Sequence, residues 1–183
     1  MPILILTFFG AKEAGVYFFS TKVLAAPLFL ISSSISQVFY QKSSELNNDS
    51  NRSELYATTK KIVTLNLVII ISFLFFLNTL GVHFLNLLFE NQWENLNLYI
   101  LILSFLIIAR SSFSPISSLI IVLDKNLIGL IFNSYLLIIN IIAVYIGSIH
   151  NNILHAIFIL SLFGGIGYFV ILCFFLNHLK KTK

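Results

Sequence analysis

Long apolar runs dominate the chain and are separated by short polar intervals. Five runs are long enough to cross about 30 Å of hydrocarbon as helices rising 1.5 Å per residue. They fall near 16–40, 62–80, 96–123, 127–148 and 153–176. A further apolar run at 1–9, MPILILTFF, is too short to span. It lacks the basic lead and small-residue cleavage site of a secretory signal, so it reads as the last part of a transmembrane helix. The pattern predicts an all-α integral membrane protein: one helical bundle of five full transmembrane helices plus an N-terminal partial helix, in a single membrane domain over 1–183. Pro27 and Pro115 fall inside the first and third spans and predict a bend in each. The interval 41–61, QKSSELNNDSNRSELYATTKK, is the only extended polar segment, and Ser53 is placed to cap a short amphipathic helix within it.

Composition strengthens this reading. The 183 residues are 58% hydrophobic and only 10% charged, against about 25% charged residues in soluble domains. Such a chain cannot cover an aqueous surface, and its net charge of +4 is too small to suggest nucleic acid as a partner. The bilayer is the first partner implied. The single cysteine, Cys173, excludes an internal disulfide framework and a cysteine-based metal cluster, and its apolar surroundings suggest a small packing residue.

Charge placement gives an orientation. Lys42, Arg52, Lys60 and Lys61 fall in 41–61, Lys125 in the turn after the third span, and Lys180, Lys181 and Lys183 in the tail. The intervals 81–95 and 150–152 carry no Lys or Arg. This alternation predicts that 41–61, 124–126 and the C-terminus are cytoplasmic. Lys12, with Glu13 beside it, is a mild exception on the outer side. Tyr17, Tyr40, Trp93 and Tyr99 lie near span ends, where amphipathic rings favour the interface.

Polar residues inside the spans form stripes. Lys22, Ala26, Phe29, Ser33, Gln37 and Tyr40 follow at steps of three or four and share one helical face. A charge within a bilayer-length helix costs roughly 2.5–3.5 kcal/mol on insertion scales, so Lys22 must face protein, water or a ligand, or snorkel to the interface. In the third span Arg110, Ser114 and Ser117 or Ser118 share a face, with Arg110 near the span's middle, where snorkelling is hard. Asn126, Asn133 and Asn140 recur every seven residues in the fourth span. Their plainest reading is hydrogen bonding between helices, worth about 0.6 kcal/mol each. Ser161, Gly164, Gly165 and Gly167 make a small-residue patch, with Ser161 and Gly165 spaced for close helix packing.

Catalytic signatures are lacking. His83, His150, His155 and His178 are scattered without metal-ligand spacing. Neither a phosphate-binding glycine loop nor a nucleophile elbow is present. Glu90 and Glu94 are the only loop carboxylates a membrane glycan polymerase or transferase could use, and they read more simply as a solvated helix start near Trp93. The spans hold no acidic group for a proton or sodium site.

Three segments carry a resemblance. Gly15-Val-Tyr17, then Lys22, Ala26-Pro27 and Ile35-Ser-Gln37-Val-Phe39-Tyr40 resemble the C-terminal half of the polysaccharide flippases, the O-antigen and capsule repeat-unit exporters of the multidrug/oligosaccharidyl-lipid/polysaccharide superfamily. Leu87-Leu88-Phe89 followed by Trp93 resembles that family's "LFG..W" segment, with Glu90 where glycine is usual. Ser114-Pro115 with Ser117-Ser118 ahead of Asp124-Lys125 is the third. The resemblance implies two six-helix bundles facing a central cleft in the cytoplasmic (inner) membrane. A polyprenyl-diphosphate-linked oligosaccharide would cross there, with no catalytic step, metal or cofactor. Lys22 and Arg110 would then meet the anionic head group through charge-assisted hydrogen bonds. Ser33, Gln37, Ser114, Asn133 and Asn140 would line the cleft beside the sugars. Five spans and a stub correspond to one bundle, whereas alternating access needs two. The expectation is therefore a truncated or split product that works with a separate N-terminal half or a second copy. The rival readings are a non-transporting membrane remnant or assembly partner, and a membrane-embedded glycan polymerase or transferase.

Overall fold

The computed structural model describes residues 1–88 and 95–181. The described chain is all helical. Helix α1 (Pro2–Phe9) turns at Gly10 into α2 (Ala11–Asn48), and α3 (Arg52–Phe76) runs through a π-helical turn (Leu77–Gly81) into α4 (Val82–Leu88). Then come α5 (Leu96–Phe113), a 3₁₀ turn (Ser114–Ile116), α6 (Leu119–Val122), α7 (Asn126–Ile149) and α8 (Ile153–Lys181). Among the described residues five helices are long and apolar enough to cross a membrane. The chain is a multi-pass membrane protein with a short extra helix at its start, as the apolar runs predict.

Gly10 makes the first turn possible. Its φ of 89° lies in the left-handed region that side chains avoid. Helix α5 sits centrally and packs on α2, α3 and α8, while α7 packs chiefly on α8. Two buried clusters lie along the bundle. One holds Ile5, Leu24, Leu28, Tyr99, Leu103 and Ile157; the other holds Phe39, Leu46, Leu55, Phe113, Leu119 and Phe175. Small residues permit the tightest approaches. Gly165 faces the Phe105 ring, Gly167 faces the Tyr135 ring, and Gly147 lies against Ala156. The Ser161 hydroxyl donates to the Ile102 carbonyl and accepts from the Leu106 amide, joining α8 to α5. The small-residue patch is thus a packing device.

Several expectations change. The interval 41–61 holds more than a short separate helix: α2 continues to Asn48, and α3 begins at Arg52 after a turn of three residues and runs on into the next span. A helix leaving the bilayer keeps its own backbone hydrogen bonds and needs no apolar period, and Leu46 and Leu55 anchor these extensions in the core. The cap of α3 is Asn51, not Ser53. Its Oδ1 accepts from the Glu54 amide while its Nδ2 donates to the Glu54 carboxylate. Pro27 lies inside a continuous helix, whereas Pro115 breaks the third span into α5, the 3₁₀ turn and α6. Tyr17 and Tyr99 are buried in the bundle rather than presented at the interface, and the Tyr99 hydroxyl donates to the Glu13 carboxylate. Cys173 is exposed on α8 rather than packed. Phe89, Glu90, Trp93, Glu94 and Lys183 lie outside the described residues, and of Leu88 only its place at the end of α4 is described.

The cationic segments gather at one end. Asn47 at the end of α2 donates 3.1 Å to the Val122 carbonyl at the end of α6. The charges of Arg52 and Lys125 both act on His178 in the last turn of α8. At the same end Lys42 lies 3.8 Å from Glu54. Glu13 and Tyr99 meet at the opposite end, as do His150 and His155, whose ring centroids are 5.4 Å apart.

Candidate functional site

Helix α2 turns one face into the bundle and leaves the other unpacked. Val16, Ser20, Leu24, Leu28, Ser32 and Phe39 are buried. The stripe Lys22, Ala26, Phe29, Ser33, Gln37 and Tyr40 is not: Ser33 is half-buried and the other five are exposed. The three-and-four spacing therefore identified a real face, and no described element covers it. Ser33 stands eleven positions after Lys22, so the lysine lies about 16 Å along the helix from the serines. Its ammonium stands 5.3 Å from the centroid of the Phe18 ring, one turn away on the same helix.

The inner half of this face borders the broken third span. Ser33, Ser36, Gln37 and Tyr40 of α2 share a groove of about 510 Å³ with Ser114, Ser117 and Ser118. Two of the hydroxyls are tied back to their own helices, Ser33 to the Leu30 carbonyl at 3.0 Å and Ser117 to the Ser114 carbonyl at 2.8 Å. The Ser118 hydroxyl has no partner among the described residues. This wall offers short hydroxyls, a phenol and one amide, which can exchange hydrogen bonds with a polyol as water does.

Pro115 creates this wall. With no N–H, Pro115 leaves the Ser111 carbonyl without its helical partner. Asn66 of α3, only 1% exposed, fills that place by donating 2.6 Å to the Ser111 oxygen. The break also relocates Arg110. It stands in the last turn of α5 rather than mid-helix, where a cation meets the negative end of the helix dipole. Arg110 is exposed, one turn from Ser114, and its charge is felt at Tyr17 on α2 and Tyr168 on α8. Among the described residues neither Lys22 nor Arg110 has a carboxylate partner.

The asparagine stripe stands apart. Asn126 and Asn133 line a separate groove of about 520 Å³ with Ile120, Gly129 and Ser134, while Ile121 borders the serine groove, so α6 lies between the two. Asn140 donates 2.7 Å to the Leu136 carbonyl of its own helix rather than across helices. A nearly apolar groove of about 380 Å³ runs between α7 and α8 past Phe132, Tyr135 and Phe174, and none of the predicted site residues lines it. Thus Ser33, Gln37 and Ser114 come together, Arg110 stands one turn from Ser114, Lys22 lies farther out on the same face of α2, and Asn133 and Asn140 do not join them. Asn66 escaped the sequence reading because a lone asparagine in an apolar run names no partner.

A family model described as polysaccharide biosynthesis protein matches residues 1–98, more than half of the chain. The chain belongs to this family. Its members form a transporter class rather than a catalytic one. The match spans Lys22, Ser33 and Gln37, whereas Arg110, Ser114, Asn133 and Asn140 lie beyond it. No curated protein and no solved structure matches the chain.

Proposed function

We propose that this family member forms the C-terminal bundle of a flippase that moves a polyprenyl-diphosphate-linked oligosaccharide across the cytoplasmic membrane. One observation carries the reading: the polar face of α2 is left unpacked and continues into the serine wall at the Pro115 break. In lipid an unpacked polar face is unfavourable unless it lines a water-filled cavity or meets protein. An opposing bundle, supplied by a separate N-terminal half or by a second copy, would close that face into a cleft. Lys22 and Arg110 would meet the diphosphate, and Ser33, Gln37 and Ser114 would exchange hydrogen bonds with the sugar. Asn133 and Asn140 keep at most a peripheral role, since α6 separates Asn133 from the serine groove and Asn140 bonds its own helix. The cationic end would face the cytoplasm, and with it the C-terminus.

Cysteine labelling tests the cleft. In a Cys173→Ser background, single cysteines at Ser33, Gln37 and Ser114 should react with a membrane-impermeant maleimide, while cysteines at Val38 and Ile138 should not. Equal protection of all five positions would mean that the α2 face meets lipid, and the reading would fail.

A further inference from the structure

The cationic end of the bundle holds a group the transport reading does not use. Arg52 opens α3 immediately after its Asn51 cap. Its guanidinium Nη1 is buried and has no hydrogen-bond partner among the described residues. A buried donor left unpaired is unfavourable, the more so when charged, and calls for a bound water or ion. Lys125, half-buried in the turn between α6 and α7, is the second cation at this place.

Three observations set them together. Leu55, one turn from Arg52, Leu123, two residues before Lys125, and Leu179 in the last turn of α8 belong to one apolar cluster. Asn47, at the end of α2 and five residues before Arg52, donates to the carbonyl of Val122, three residues ahead of Lys125. Both charges act on His178, whose ring stacks on that of Phe174. The neighbouring carboxylates are otherwise placed. Glu54 is held by Lys42 and Asn51, and Glu45, Asp49 and Asp124 are exposed. None is within ion-pair distance of Arg52 or Lys125 among the described residues.

We infer that Arg52 and Lys125 form a phosphate-binding site at the junction of α3, the α6–α7 turn and α8. A planar guanidinium with an unused nitrogen and a nearby ammonium suit the oxygens of a phosphate ester. The site sits where helices leave the bilayer, and basic pockets between helices at that level hold anionic lipid head groups. A bound phosphate would clamp three elements distant in sequence and steady the wall that carries Ser117 and Ser118. The inference requires only that the chain spans a membrane, so it stands or falls separately from the transported substrate.

The test uses the full chain, delipidated in neutral detergent, with phosphatidylglycerol, phosphatidylcholine or inorganic phosphate added. Thermal unfolding and native mass spectrometry are the readouts. Phosphatidylglycerol should raise the unfolding midpoint and remain bound through desolvation, and phosphatidylcholine should do neither. Arg52→Gln and Lys125→Gln should each weaken this about fivefold to tenfold, while Lys60→Gln/Lys61→Gln, at the same end but outside the site, should stay within about twofold. If inorganic phosphate matches the lipid with the same Arg52 dependence, the site stands and its ligand is a soluble phosphate. If Arg52→Gln fails to fold, Arg52→Lys keeps the charge without the fork and should lose part of the effect. An unchanged lipid response in the Arg52 and Lys125 variants, or an equal loss in the Lys60/Lys61 control, would overturn the inference.

Discussion

Asn66 donates a 2.6 Å hydrogen bond to the Ser111 carbonyl, the group that Pro115 deprives of its helical amide. The pair explains how a proline break survives in an apolar setting, where a free carbonyl is costly. Asn66→Ala should lower stability by about 1–2 kcal/mol. In a Pro115→Ala background the residue at 115 regains an N–H for Ser111, so the same change should cost much less. A double-mutant cycle on thermal unfolding in detergent checks the coupling. Strictly additive effects would show that the two residues act independently.

The glycine contacts predict a graded series. A Cβ at Gly147 would lie 2.6 Å from the Ala156 Cβ and 3.1 Å from its backbone nitrogen, neither of which can swing away. A Cβ at Gly164 would meet only the flexible Leu106 tip at 3.0 Å. Gly147→Ala should therefore cost about 1–3 kcal/mol through overpacking, and Gly164→Ala well under that. Thermal unfolding of the two variants gives the order directly.

The turn between α2 and α3 predicts which residue is the cap. Asn51→Ala should destabilise the start of α3 by about 1 kcal/mol, while Ser53→Ala should be nearly neutral. Hydrogen exchange at the Glu54 and Leu55 amides reads this locally. Faster exchange only in the Asn51 variant is expected; faster exchange in the Ser53 variant would return the cap to Ser53.

The five spans and the N-terminal stub were legible because run length alone decides whether a helix can cross a bilayer. The Lys22–Tyr40 face was legible because a three-and-four step fixes a helical face whatever surrounds it. Other features depend on partners far along the chain. Asn66 acquires its role from Ser111, 45 residues away. Arg110 became a helix-terminal cation only because Pro115 divides its span, and Tyr99 turned inward to reach Glu13. The helical extensions around 41–61 were legible only in part: a cap near Ser53 pointed to a short helix, but helix in water shows no apolar run, so its continuity with the spans on either side did not show.

The transported head group offers the decisive measurement. In the assembled transporter, reconstituted in liposomes, translocation of a polyprenyl-diphosphate-linked oligosaccharide should fall at least about tenfold with Lys22→Gln plus Arg110→Gln, one charge-assisted contact being worth about 1.5–3 kcal/mol. Lys22→Arg, which keeps the charge, should retain most of the rate. Undiminished translocation by the charge-neutral double variant, at equal protein level, would contradict the assignment of this face to the substrate's diphosphate.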